Sequence, residues 1–152
     1  MIKIRGRIKL ECRDKEGNLK WNTGWISNGI TNAGFAQLAL LAGDASAVPF
    51  TYLAVGTSST DFAATQTALV AEVTDTGLER AAATVSRVTT TVTNDTLQLV
   101  KAWTATGSKT VEEIGIFNDA SAGTMLGRAL TTSKALTNTD ILTGTYQVKF
   151  AS

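Results

Sequence analysis

The chain has 152 residues, 43% hydrophobic and 18% charged, with one cysteine, no histidine and a formal net charge of +1. That length suits one domain and that apolar fraction excludes a disordered polar chain; the small net charge excludes an overall electrostatic draw toward nucleic acid or membrane. Without histidine there is no Ser-His-Asp or Cys-His catalytic set, and a lone Cys12 allows neither an intrachain disulfide nor an ordinary zinc or copper site.

The first residues, MIKIRGRIKLECR, place Ile2, Ile4, Ile8 and Leu10 in alternation with Lys3, Arg5, Arg7 and Lys9. This period of two predicts a half-buried strand, with Gly6 as a bulge or a point of close contact. It matches no signal peptide, so the chain is expected to be made in a cytoplasm. Asp14 to Asn18 is a turn and Leu19 to Ile26 a second strand carrying Trp21 and Trp25, so residues 1–27 read as a basic strand pair. Charge is uneven here: residues 1–20 carry a net +4 and the remaining 132 residues −3.

One helix is expected, from about residue 31 to 42. Thr31 is its N-cap, Ile30 and Phe35 sit where a hydrophobic staple would fall, Phe35, Leu38, Ala39 and Ala42 form its apolar face, and Gly43 ends it. A loop follows to Pro49, then a strand from Phe50 to Gly56 and a polar loop from Thr57 to Ala64. Residues 65–72 fit either a helical turn or an extended segment. Beyond them β-branched residues dominate. Strands are predicted at 78–92, 96–106, 111–117, 125–132 and 141–150, separated by turns at Asn94-Asp95, 107–109, 118–123 and 138–140. The expected fold is mainly β: an antiparallel β-sandwich or jelly-roll-like barrel with one short helix, residues 1–152 forming a single domain.

Candidate sites are few. TYLAVGTSSTDF follows a strand but lacks the glycine spacing and lysine of a phosphate loop. Glu112 and Glu113 are strand neighbours that point to opposite faces, so they make no carboxylate pair; a carboxylate hydrolase would need two facing acids in a cleft. Asn118 to Gly123 lacks the pattern of a calcium loop and reads as a turn whose Asn and Asp fold back on their own backbone. Trp21, Trp25 and Trp103 offer aromatic area for a core, an interface or a stacking surface. No metal or cofactor is expected.

Several landmarks recur in one known group. They are Ile30-Thr31-Asn32-Ala33-Gly34 at the helix start, Ala54-Val55-Gly56-Thr57 after the central strand, then Thr67, Leu69, Glu72 and Arg80. The hairpin EEIGIFNDASAGTMLGRAL (residues 112–130) completes them, with Gly123, Met125, Leu126, Arg128 and Ala129 in its second half. In these the chain resembles small structural proteins of tailed bacteriophages, of the head-decoration, head-fibre and tail-fibre-like kinds. It departs from them at Gln66, where an aspartate is frequent, and at Ser58, where a glycine is common.

The resemblance implies an all-β, non-enzymatic virion protein. Its first reading is a capsid decoration (cement) protein on the capsid exterior, binding the major capsid protein or another virion protein and self-associating as a trimer. The alternative is a tail- or fibre-associated domain that binds the host surface. No nucleic-acid or membrane partner is implied. Contacts are expected from residues 1–13, where a terminal strand docks by β-augmentation, or from loops 43–49 and 57–64. The interface candidates are Ile2, Ile4, Arg5, Arg7, Trp21, Trp25, Phe50, Phe62 and Arg128. Arg128 is also a candidate for an ion pair with Glu113 across the hairpin or with a neighbouring subunit.

Overall fold

The computed structural model describes residues 3–151. The alternating N-terminus forms β1 (Arg5–Arg13), with Gly6, Ile8, Leu10 and Cys12 turned inward. β1 pairs with β2 (Leu19–Asn22), but the strand expected over residues 19–26 stops at Asn22, and residues 23–25, with Trp25, form a connection. A third strand, β3 (Ile26–Ile30), then pairs with both β1 and β9 (Met125–Leu136) before the helix starts. Helix α1 spans Asn32–Gly43, and Thr31 caps it by accepting a hydrogen bond from the Gly34 amide at 2.8 Å. Its inward stripe is Gly34 with Leu38 and Leu41; of the predicted face only Leu38 packs inward, while Phe35 is 48% exposed and Ala39 and Ala42 are also exposed. Gly34 decides this rotation. A Cβ there would stand 2.3 Å from the Leu126 carbonyl oxygen, so only a glycine lets the helix backbone lie against β9.

The remaining strands are β4 (Tyr52–Gly56), β5 (Ala81–Ala82), β6 (Thr84–Val88), β7 (Thr96–Thr104), β8 (Lys109–Phe117) and β10 (Ile141–Lys149). All pairs are antiparallel, in the order β5-β4-β8-β9-β3-β1-β10-β7-β6, with β2 attached to β1. The two ends of this order, β5 and β6, are consecutive in the chain and separated only by Ala83. Segment 81–88 therefore links the two sheet ends, and the sheet is nearly closed into a barrel. The single strand expected over 78–92 is thus broken. Ala83 donates its amide to Thr51 instead of continuing the ladder, and the small residues around it set no apolar period to hold a straight strand. Residues 65–72 form neither helix nor strand, apart from a bridge between Gly56 and Glu72.

The barrel interior holds Ile8, Leu10 and Cys12 from β1, Leu53 and Val55 from β4, and Leu99 and Trp103 from β7. Ile114 and Ile116 of β8, Leu126 of β9, and Leu142, Tyr146 and Val148 of β10 complete it. Burial pushes the Cys12 thiol up to about 11, with the neighbouring Asp140 carboxylate adding to the effect. A second, smaller cluster lies on the outer side of the sheet: Ala54, Leu69, Phe117 and Met125. The register of β9 against β8 shifts between Ile116 and Phe117. Leu126 consequently joins the interior while Arg128, two residues on, lies on the outer side and pairs with Glu113.

Candidate functional site

Two side chains organise the outer wall over β4, β8 and β9. Arg128, 0% exposed, donates from Nε to Glu113 Oε2 at 2.5 Å. Its Nη1 donates to the Thr60 carbonyl at 2.8 Å. Glu113, also 0% exposed, accepts from the amides of Val70 (3.2 Å) and Ala71 (2.8 Å). One buried ion pair thus holds both ends of the 57–72 loop against the barrel. Two buried charges survive there because each is paired and hydrogen-bonded.

Arg80 does the same for the neighbouring turn. It pairs with both oxygens of Glu72 at 2.7 and 2.8 Å and lies 3.6 Å from the centroid of the Phe117 ring. Its Nη1 donates to the carbonyls of Asp119 (3.2 Å) and Ala122 (2.7 Å). That turn is closed as predicted: Asn118 Oδ1 accepts from the Thr124 amide, Asp119 Oδ1 accepts from the Ser121 amide, and Gly123 has φ +70°. The Glu113 carboxylate faces Arg128 and not Glu112, so the adjacent acids form no pair.

The interface candidates divide sharply. Phe50, 2% exposed, is a core residue, because barrel closure draws the chain after Pro49 inward. Arg128 is equally inaccessible: the expected pair with Glu113 is present, and a contact with a neighbouring subunit is excluded by its burial. Phe62 is half-buried over Gly29, where a Cβ would meet its ring at 2.2 Å. Trp21 packs against the core and donates its indole N–H to the Ala135 carbonyl at 2.9 Å. Trp103 sits inside the barrel and bonds Glu79, so the three tryptophans make no common platform. Ile4 packs on the core and lines a 210 Å³ cavity with Gly6, Asn28, Ile30 and Phe35. Ile2 lies outside the described residues.

Arg5, Arg7 and Trp25 remain at the surface. Trp25 is 42% exposed, with the Arg7 guanidinium 4.1 Å and the Lys9 ammonium 5.1 Å from its ring centroid. Arg7 Nε donates to Gln147 at 2.8 Å, and Gln147 donates on to Gln98 at 2.7 Å. This row runs straight across β1, β10 and β7. β1 is not a free edge: β10 flanks one side and β2 and β3 the other, so the expected strand addition at residues 5–13 is closed. The sequence offered no sign of Arg80 as a loop clamp or of Gln147 as the partner of Arg7, since both contacts join residues far apart in the chain.

A barrel whose buried polar groups clamp its own loops defines a small structural module. Over residues 27–147 the chain matches the family model described as podophage GP4 fiber I protein gp80, and it belongs to that family. It is thus a member of a family of small tailed-phage virion structural proteins. No curated protein and no solved structure matches the chain.

Proposed function

We propose that this chain is a non-catalytic domain of a phage fibre that attaches to the host surface. The observation that supports this best is the unequal covering of the barrel wall. The half built from β4, β8, β9 and β3 carries the 57–72 loop and α1, whereas the half built from β1, β10 and β7 presents Arg5, Arg7, Lys9 and Trp25 to solvent or to a partner. The family description, a fibre protein, points the same way.

Capsid decoration is the second reading. It is favoured by the apolar side chains left exposed on and beside α1, namely Phe35, Leu40 and Val48, which suit contact with a shell or a sister subunit. Trimeric self-association belongs to both readings, with sedimentation as its check. Imaging an epitope-tagged chain on intact particles separates the two. Label on the fibres, with purified chain binding host cells and not empty heads, supports the fibre reading; label spread over the head with binding to empty heads replaces it with decoration.

A further inference from the structure

A cavity of 510 Å³ opens where β1 begins and β10 ends. Its lining includes Arg5, Gly6, Arg7, Ser27, Lys149 and Ala151, together with Thr89 and Thr90 from the β6–β7 turn. The volume falls in the ordinary range of ligand pockets, but the lining is cationic and hydroxylic where such pockets are usually apolar.

The charges are arranged against the fold's own interest. Arg5 and Lys149 are register partners on adjacent antiparallel strands. Like charges directly opposite one another repel, and among the described residues neither has a carboxylate within ion-pair distance. Arg7, two residues along, adds a third cation. It is held from two sides: the Trp25 ring stacks on its guanidinium, and its Nε donates to Gln147. Its two terminal nitrogens bond to nothing among the described residues, so their N–H groups are free for a ligand. The acid of the adjoining turn, Asp95, does not neutralise the site through an ion pair. Its oxygens are occupied by the amides of Thr90, Thr91 and Val92 and by the hydroxyls of Thr90 and Thr96.

We infer that this cavity binds an anionic unit, carboxylate or phosphate, of a host-surface sugar polymer. Arg5, Arg7 and Lys149 take the anion, and the hydroxyls of Ser27 and Thr89 contact the sugar hydroxyls, that of Thr90 being held by Asp95. A recessed, hydroxyl-lined pocket fits a charged sugar better than a nucleic acid, which is held along an extended row of phosphate contacts. The inference rests on the host-attachment reading for the source of the ligand, though not for the binding chemistry.

The test uses the whole chain with two probes, a galacturonic acid trisaccharide and a glycerol-phosphate trimer, followed by amide NMR shifts and calorimetry. At least one probe is expected to shift the amides of Gly6, Ser27, Thr89 and Thr90, while neutral galactotriose does not. The carboxylate and phosphate arms decide which anion is taken. In Arg5→Gln/Lys149→Gln, whose native side chains make no hydrogen bond among the described residues, affinity should fall at least tenfold with an unchanged melting temperature. Binding no stronger than galactotriose, unchanged affinity in the double variant, or displacement of both probes by an equimolar DNA oligonucleotide overturns the site. Whole-cell binding separates the two claims. Cells bound equally by wild type and double variant leave host attachment standing and remove the cavity; probe binding without cell binding does the reverse.

Discussion

The two halves of the barrel wall use arginine in opposite ways. Arg128 and Arg80 lie against the outer side of β8 and β9, each facing a glutamate and loop carbonyls. Arg5 and Arg7 stand on β1 with no ion pair among the described residues, one of them stacked on an exposed tryptophan. A paired, buried arginine has spent its hydrogen-bonding capacity on the fold. An unpaired, exposed one keeps it for something else. Sequence alone does not separate the two classes, because the residue type and the β context are the same. Burial and the position of the nearest acid separate them. The difference also follows the family match, which covers residues 27–147 and leaves β1, β2 and Lys149 outside. The clamped half lies within the matched stretch; of the three cations of the open half's cavity, Arg5 and Arg7 precede it and Lys149 follows it.

This contrast predicts that single changes in the clamped half unfold the protein while equivalent changes in the open half do not. The largest effect is expected from Arg128→Ala. It strands the Glu113 carboxylate in a site with 0% exposure, and removing one partner of a buried pair costs about 3–5 kcal/mol. Protease cleavage within residues 57–72 should rise with it, because Arg128 holds the Thr60 carbonyl. Replacing both partners with apolar residues, Arg128→Met with Glu113→Leu, should restore much of the lost stability, as apolar replacements of buried pairs often do. Chemical denaturation that found a loss below about 1 kcal/mol for Arg128→Ala would remove the distinction between the halves.

Gly34→Ala tests the covering helix. Alanine gains about 1 kcal/mol over glycine in a helix interior, so a positive result is the default. Here the added Cβ meets Leu126 backbone at 2.3 Å and 2.8 Å, atoms that cannot swing aside. Overpacking costs about 1–3 kcal/mol, and the net is expected to be a loss that lowers the melting temperature by several degrees, at about 2–4 °C per kcal/mol for a chain of this size. A rise in melting temperature would show that α1 is not seated on β9 by this contact.

These two substitutions mark how far local sequence reached. The N-cap Thr31, the alternation of β1 and the Asn118–Gly123 turn were legible because their partners lie within a few residues. The rotation of α1 was not, since it depends on a backbone met 92 positions later, at Leu126. Phe50 stands among the interface candidates for the same reason: at the start of a strand next to Pro49 its side cannot be read from the sequence, and only closure of the sheet covers it. The break at Ala83 exists because segment 81–88 must serve both ends of one sheet, a demand of topology that no window of ten residues carries. The cationic cavity combines β1, β3, β10 and the turn after β6. Its basic half was visible as the net +4 of the first twenty residues. Its hydroxyl half was hidden among many threonines.

Trp25→Ala is the smallest change and the sharpest for the open half. Trp25 is apolar, large and set between two strands, β2 and β3, which in the clamped half would make it structural. Its surroundings differ: 42% of it is exposed, and the Arg7 and Lys9 cations lie over its ring. An exposed cation–π contact contributes about 0.5–1 kcal/mol, so unfolding should shift by no more than about that amount. What the substitution removes is one of two constraints on Arg7, the other being Gln147. Affinity for the anionic trisaccharide should therefore fall severalfold while stability is nearly unchanged, and Trp25→Phe, which keeps a ring face for the guanidinium, should recover part of that affinity. The ring acts through Arg7 as a positioning residue. A stability loss as large as that of Arg128→Ala would instead place Trp25 with the core, and β1 would then belong to the same class of wall as β8 and β9.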